Sequence, residues 1–290
     1  MVTKRKKKTK GSFKGKVSRN AAKQSRGTAL GHLNLPADMP VYYANAGTRV
    51  LFDILPYEVT SPNHLDRDEE YEVAVEGQLW YKLPYLFHRN IGSSNEAIVC
   101  PTSAKRKCPI CEHRAKMLRD GADWADDAVK ALKPSKRNLY RIIPKGHKDY
   151  KEAPHIFDIA QANFQTTLNE EVQENEKYET FPDLEEGWTL KVRFSEGQIG
   201  SNKFAEASRI DFVERKKPYD ESILDGLASL DDILIIPTYK DASKLFFEGM
   251  DQDEIYDDDD ADYEEEYDED EDEEPEEEYD EDEDEEPEEE

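Results

Sequence analysis

Residues able to do specific chemistry are concentrated between positions 88 and 111, where all three cysteines of the 290-residue chain fall. The spacing runs His88, eleven residues, Cys100, seven residues, Cys108, then Pro109, Ile110 and Cys111. Cys108 and Cys111 put two thiolates on one tight turn, the usual start of a structural zinc site. Cys100 and one imidazole would complete a tetrahedral Cys3His set. Such a set leaves no coordination position open to substrate, so its role is structural and not hydrolytic. Two histidines compete for the fourth place. His113 follows Cys111 after one residue, a short step for both side chains to reach one ion, whereas His88 ends an apolar run and can fold back over a loop; His88 is preferred. A redox dithiol would want a strand leading into Cys108 within a βαβ unit, but Ala104, Lys105, Arg106 and Lys107 read as a loop and a third cysteine is left over. Inert thiols are the remaining alternative.

These groups need a frame, and the hydrophobic pattern supplies one that is α+β and mainly β. Residues 48–55 read as a strand ending at Pro56, followed by a loop at 62–70 and β-rich runs at Tyr71–Val75 and Leu79–Phe87 that turn at Gly77. Pro84 makes the latter an edge strand or breaks it. The period then changes. Ile110, Arg114, Met117 and Leu118 mark one helix; Trp124, Ala128, Val129 and Leu132 mark another, capped by Asp123 and stopped by Pro134. Asn138–Ile143 and His155–Ile159 read as strands, and Gln161–Gln173 as a helix with Phe164, Leu168 and Val172 on one face. Trp188, Leu190, Val192 and Phe194 alternate with polar residues, which places Trp188 and Phe194 in the core. Ser208–Val213 is the partner strand across a turn at 197–202, and short helices at Ile223–Leu230 and Ala242–Phe247 close the body. Short strands with inserted helices suggest a small open barrel, of which the five-stranded oligonucleotide-binding (OB-fold) barrel is one kind. One compact core is expected over residues 41–250, with any zinc-stapled subdomain falling at about 79–133.

Charge divides the chain into three parts. Residues 1–30 hold 11 Lys or Arg and no acid, whereas residues 251–290 hold 31 Asp or Glu and no base. The remainder is balanced, so the net charge of -29 misrepresents the body. Residues 1–40 are expected to be a disordered basic arm and 251–290 a disordered acidic tail in which EEEYDEDEDEEP occurs twice. An odd number of thiols fits a reducing compartment. There is no apolar segment after the basic start and no run of 18 apolar residues, so neither a secretory signal nor a transmembrane helix is expected. Nucleotide-loop, nucleophile-elbow and H-E-x-x-H motifs are all missing and acids in the body are scattered, so the chain is not expected to be an enzyme.

Basic residues recur beside aromatic ones: Tyr81 with Lys82, Lys136 and Arg137 with Tyr140, Lys203 with Phe204. Cations that follow phosphates and rings that stack on unpaired bases hold single strands in this way. Lys105, Arg106 and Lys107 join them as candidate DNA contacts. Core packing of the rings gives the same adjacency. His64, His147 and His155 show no ligand spacing. The tail would compete with phosphates for any cationic groove on the body, or would simply keep the protein soluble.

In the order of its parts the chain resembles the helix-destabilising single-stranded DNA-binding proteins of T-even-like bacteriophages. A basic N-terminal segment precedes a strand ending in Ile54-Leu55-Pro56. After it come His88, Cys100 and Cys108-Pro109-Ile110-Cys111, a stretch with Lys136, Arg137 and Tyr140, and an acidic C-terminus. The resemblance implies an OB-fold barrel with a zinc-stapled subdomain beside the groove, one Zn2+ on His88, Cys100, Cys108 and Cys111, and binding of single-stranded DNA without strong sequence preference. It further implies cooperative contact with neighbouring copies through Lys4, Arg5, Lys6, Lys7 and Thr9. The tail would recruit replication, recombination and repair proteins in the cytoplasm of an infected bacterial host. A different class stays open: a zinc-ribbon transcription or assembly factor whose acidic tail binds a basic protein.

Overall fold

The computed structural model describes residues 31–36 and 39–248. The arm residues Lys4, Arg5, Lys6, Lys7 and Thr9 and the 251–290 tail lie outside the described residues. The fold is mixed, mainly β, with its principal sheet curled into half a barrel.

That sheet is built on strand β7 (Ser135–Lys145), whose residues Asn138 to Pro144 are all buried. One edge of β7 pairs antiparallel with β8 (His155–Ala160). Its other edge is divided: residues Ser135 to Leu139 pair with β5 (Leu83–Ile91), and Arg141 to Lys145 pair with β2 (Arg49–Leu55). Beyond β2 lie β9 (Trp188–Ile199) and β10 (Asn202–Glu214), joined as a hairpin. Beyond β8 lies β1 (Val41–Tyr42), in parallel, and β5 carries β6 (Glu96–Val99). β3 (Tyr57–Glu58) and β4 (Leu79–Trp80) form a separate pair. Among the described residues β1 and β10 are each paired on one side only, so the sheet is not closed by a ladder between them.

Alternation along β7 sends side chains into two cores. Tyr140 and Ile142 meet Phe52, Phe157 and Phe194 on one face, under Leu168 of α3 (Gln165–Glu174) and Phe164 just before it. Leu139 meets Tyr85, Phe87 and Ile156 on the other, together with Leu230 and Ile233 of the short α4 (Leu230–Ile233). Covered on both faces, β7 reads as a nearly continuous buried run. A third, smaller core surrounds the cysteines, with α1 (Pro109–Arg119), α2 (Asp127–Leu132) and α5 (Tyr239–Phe246) around it.

Several local expectations need correction. Tyr71–Val75 is a set of turns with one isolated bridge, Asp68 to Val73, and not a strand. Asp68 accepts the backbone N–H groups of Glu70 and Tyr71, which favours a turn over a ladder. The helix after Trp124 starts at Asp127, because Asp123 turns the chain by accepting the N–H of Ala125. Trp124 consequently lies outside that helix and is 65% exposed. The Gln161 helix begins four residues later than expected, at Gln165. Ile223–Leu230 is no helix: a 3-10 turn at Glu221–Leu224 is followed by α4. Pro84 lies in the part of β5 that has β7 alone as its neighbour, so the edge reading holds there.

One buried polar network ties four segments together. Asp158 on β8 accepts from Tyr85 Oη at 2.8 Å, from Arg137 Nε at 3.0 Å and Nη2 at 2.9 Å, and pairs with His32 Nε2 at 3.2 Å. Burial alone would push the Asp158 carboxyl up, but His32, Arg137 and Tyr85 outweigh it and hold the group below its ordinary 3.8. Such stability is present above the unfolded pKa and is lost as pH falls through the folded one. Asp158→Ala should therefore lower unfolding free energy at neutral pH by about 3–5 kcal/mol, since it leaves Arg137 unpaired. In chemical denaturation followed against pH, the gap between wild type and variant should narrow below about pH 4.

Candidate metal centre

Strand alternation builds the first half of the site. On β5, Leu86 and His88 face the small third core, while Tyr85 and Phe87 face the main sheet's second core. On β6, Ile98 shares the side of His88, and Cys100 follows immediately after the strand. The register pairs His88 with Ile98 and Phe87 with Val99, so the hairpin delivers the imidazole and the first sulfur to one face. A 3-10 turn at Pro101–Ala104, ended by Lys105 in the left-handed region (φ 53°), reverses the chain.

The second half is the start of α1. Cys108 is its N-cap, with Pro109 at the first helical position, where proline's fixed φ favours entry and its missing N–H removes nothing. Cys111 sits one turn on, so both sulfurs project from the same helix end, whose positive dipole favours thiolates.

The four ligand atoms lie within 4.8 Å of one another. His88 Nε2 is 3.5 Å from both Cys108 Sγ and Cys111 Sγ, and Cys100 Sγ is 3.5 Å from Cys111 Sγ. A zinc ion with bonds of about 2.3 Å to sulfur and about 2.0 Å to nitrogen requires tetrahedral edges of about 3.8 Å between sulfurs and about 3.5 Å between sulfur and nitrogen. The cluster is therefore already near the size of one coordinated ion. Three of its members are buried and Cys111 is half-buried. No disulfide joins the cysteines. Without a cation the sulfurs compete: hydrogen bonds from Cys108 and Cys111 push the Cys100 thiol down, and the same sharing pushes Cys111 up. A divalent ion would remove that competition by letting all three ionise. The set can hold one metal ion such as zinc, and donor type and closure fit a structural ion. His113 is not part of it; its ring packs edge-on against Phe246 and Phe247.

Helix α5 lies over the cluster. Phe246 is 8% exposed there, and Leu245 and Phe247 pack beside it. Tyr239 Oη donates to Glu112 of α1 at 2.8 Å. Gly92, at φ 69° in the β5–β6 turn, faces the Leu245 carbonyl so closely that a Cβ would collide with it. The cysteine module and the last described helix thus pack as one small body.

The candidate DNA contacts fare unequally. Tyr140 is fully buried between Phe157 and Phe164 and bonds Gln165, so it has no face for a base. Its position on the doubly covered β7 is the reason. Lys82 is 7% exposed with its Nζ 2.6 Å from Asp66; burial pushes the ammonium's pKa down and Asp66 offsets this, so its charge is already matched. Tyr81 is wedged against Phe181 and accepts from Gln165 Nε2 at 2.8 Å. Phe204 covers Gly197 on the β9–β10 hairpin, and Lys203 pairs with Glu196 at 2.7 Å. Lys105, Arg106, Lys107 and Lys136 are solvent-facing, while Arg137 is held by Asp158. As expected of core residues, Phe194 is buried, and Trp188, half-buried, packs against the same core.

The sequence reading missed Arg89, which follows His88 and so projects from the opposite face of β5. Period-two alternation was the available signal. No protein-family model matches the chain, and no curated protein does. No helix among the described residues is long and apolar enough to cross a membrane.

Purified protein should contain one zinc per chain by elemental analysis, and Cys108→Ser should lose it. With metal a thousandfold above its Kd, binding contributes about 4 kcal/mol. Chelation should accordingly lower Tm by roughly 8–16 °C for a domain of this size. Hydrogen exchange should show α1 and α5 opening together when the metal is removed.

Proposed function

We propose that the protein binds single-stranded nucleic acid, DNA in the first instance, and that the metal serves to hold the binding module in shape. One observation carries the reading. Between residues 86 and 136 there are ten Lys or Arg against six Asp or Glu. Not one of those ten forms an ion pair with a described residue, although bases elsewhere in the body pair with Asp53, Asp66, Asp158, Glu196 and Asp211. A metal-stapled module that leaves its cations unmatched is suited to a polyanionic partner.

Further support comes from the half-barrel, which we read as an open oligonucleotide-binding fold flanked by the module. Trp124 adds an exposed ring backed by the Arg114 guanidinium at 4.8 Å, a platform on which an unpaired base can stack. The family resemblance points the same way and extends to cooperative binding through the basic arm, a place in phage replication, recombination and repair, and partner recruitment by the acidic tail. The reading involves no catalysis.

Titration with oligo-dT should quench protein fluorescence, with log K falling against log salt by about 0.7 per phosphate contacted. Trp124→Ala should cost about 1–3 kcal/mol of binding at unchanged salt slope, the signature of lost stacking without lost charge. Preference for a specific duplex, or no nucleic-acid binding, would instead favour the zinc-ribbon factor that contacts a basic protein. Deleting residues 251–290 should tighten oligonucleotide binding, most at low salt; unchanged affinity would leave the tail as a solubilising segment alone.

A further inference from the structure

A recess of about 380 Å³ lies on the face of β5 opposite the metal cluster, walled by Phe87, Arg89, Asn90, Asn95, Arg137 and Asp158 among others. Its charge is out of balance. Asp158 is the one acid among the lining residues, and its two oxygens are already engaged by Arg137, Tyr85 and His32. Arg89 forms no ion pair with any described residue. Its guanidinium lies 5.7 Å from the centre of the Phe87 ring, and that of Arg137 lies 5.8 Å from the same centre. One aromatic ring thus gathers two like charges that would otherwise repel. Asn90, at an irregularity near the end of β5, and Asn95, in the β5–β6 turn, hold left-handed backbone (φ 56° and 51°), and their amides add neutral donors to the wall.

Planar guanidinium forks beside amide donors suit a tetrahedral oxyanion, which accepts from several of them at once. The recess is too large for the anion alone and leaves room for what is attached to it. We propose that this recess is a phosphate site: Arg89, supported by Arg137 and the two asparagines, takes one phosphate of a nucleic-acid strand, with the adjoining sugar in the remaining volume. The choice of a nucleotide phosphate rests on the nucleic-acid reading above; the anion site itself rests on the recess. Burial and the charge of Arg137 both push the Arg89 pKa down, the electrostatic consequence of the same crowding.

The test uses full-length, zinc-loaded protein with two probes, inorganic phosphate and oligo-dT carrying either a 5′-hydroxyl or a 5′-phosphate. Arginine Nε–H resonances of Arg89 should shift saturably with inorganic phosphate, and Arg89→Gln should abolish the response while leaving Tm unchanged, as befits an exposed side chain. On oligo-dT, Arg89→Gln should weaken binding roughly tenfold at low salt and reduce the salt slope by about 0.7, the loss of one phosphate contact. Arg89→Lys should restore the slope. Equal affinity for the two oligonucleotides assigns the site to an internal diester; tighter binding of the phosphorylated one assigns it to a strand end. If phosphate perturbs Arg89 but oligo-dT does not bind, the anion site stands and the nucleic-acid reading falls. If oligo-dT binds and Arg89→Gln changes neither affinity nor slope, the phosphate site is overturned and the nucleic-acid reading stands.

Discussion

Strand β7 has two edges and three neighbours, and the rest of the molecule follows from how it divides them. Along one edge it satisfies β8; along the other it serves β5 first and β2 afterwards. Backbone N–H and C=O groups buried on both faces must find partners in the sheet, so neither β5 nor β2 can be dispensed with. The cysteine module is therefore grafted onto the central strand of the half-barrel and not hung from its rim. Asn138 shows how fully the strand is enclosed: it is buried, and its amide donates to Gln161 at 2.6 Å.

Buried polar groups fasten the outlying segments to this frame. Arg141, 2% exposed, donates to the carbonyls of Pro56 and Ala228, joining β7 to the loop after β2 and to the segment before α4. Arg141 forms no ion pair with a described residue, and burial lowers its pKa to about 10, still well above neutrality, so it stays charged among carbonyl dipoles. Asp53 does a similar job farther along the same face of the sheet, accepting from Thr189 and Tyr219, with Lys145 Nζ 3.3 Å away. These contacts pin specific chain crossings that apolar packing alone would leave free to slide.

Much of this was legible in the residues. The clustering of His88 with the three cysteines could be read because coordination chemistry calls for a set of that type and number, and the cluster is local in sequence. Trp188 to Phe194 could be read because a half-buried strand alternates. Tyr140 could not be placed correctly, since a strand covered on both faces loses its alternation and lets a core ring look like a surface one beside Lys136 and Arg137. Lys82 failed for another reason: its partner, Asp66, is brought to it by a loop, and nothing in the chain announces that meeting. Arg89 was overlooked because attention to His88 as a ligand said nothing of the residue pointing the other way.

That back-to-back arrangement on β5 limits how the chain can vary in length. Because successive side chains leave a strand on opposite faces, one residue inserted or deleted between Leu86 and Arg89 would exchange the two sides. A guanidinium would be thrust among three sulfurs and the imidazole would open into the phosphate recess, disabling both at a stroke. Insertions and deletions in related chains should therefore gather in the turn at 93–95 and the connection at 101–107, while the strand between them keeps its count.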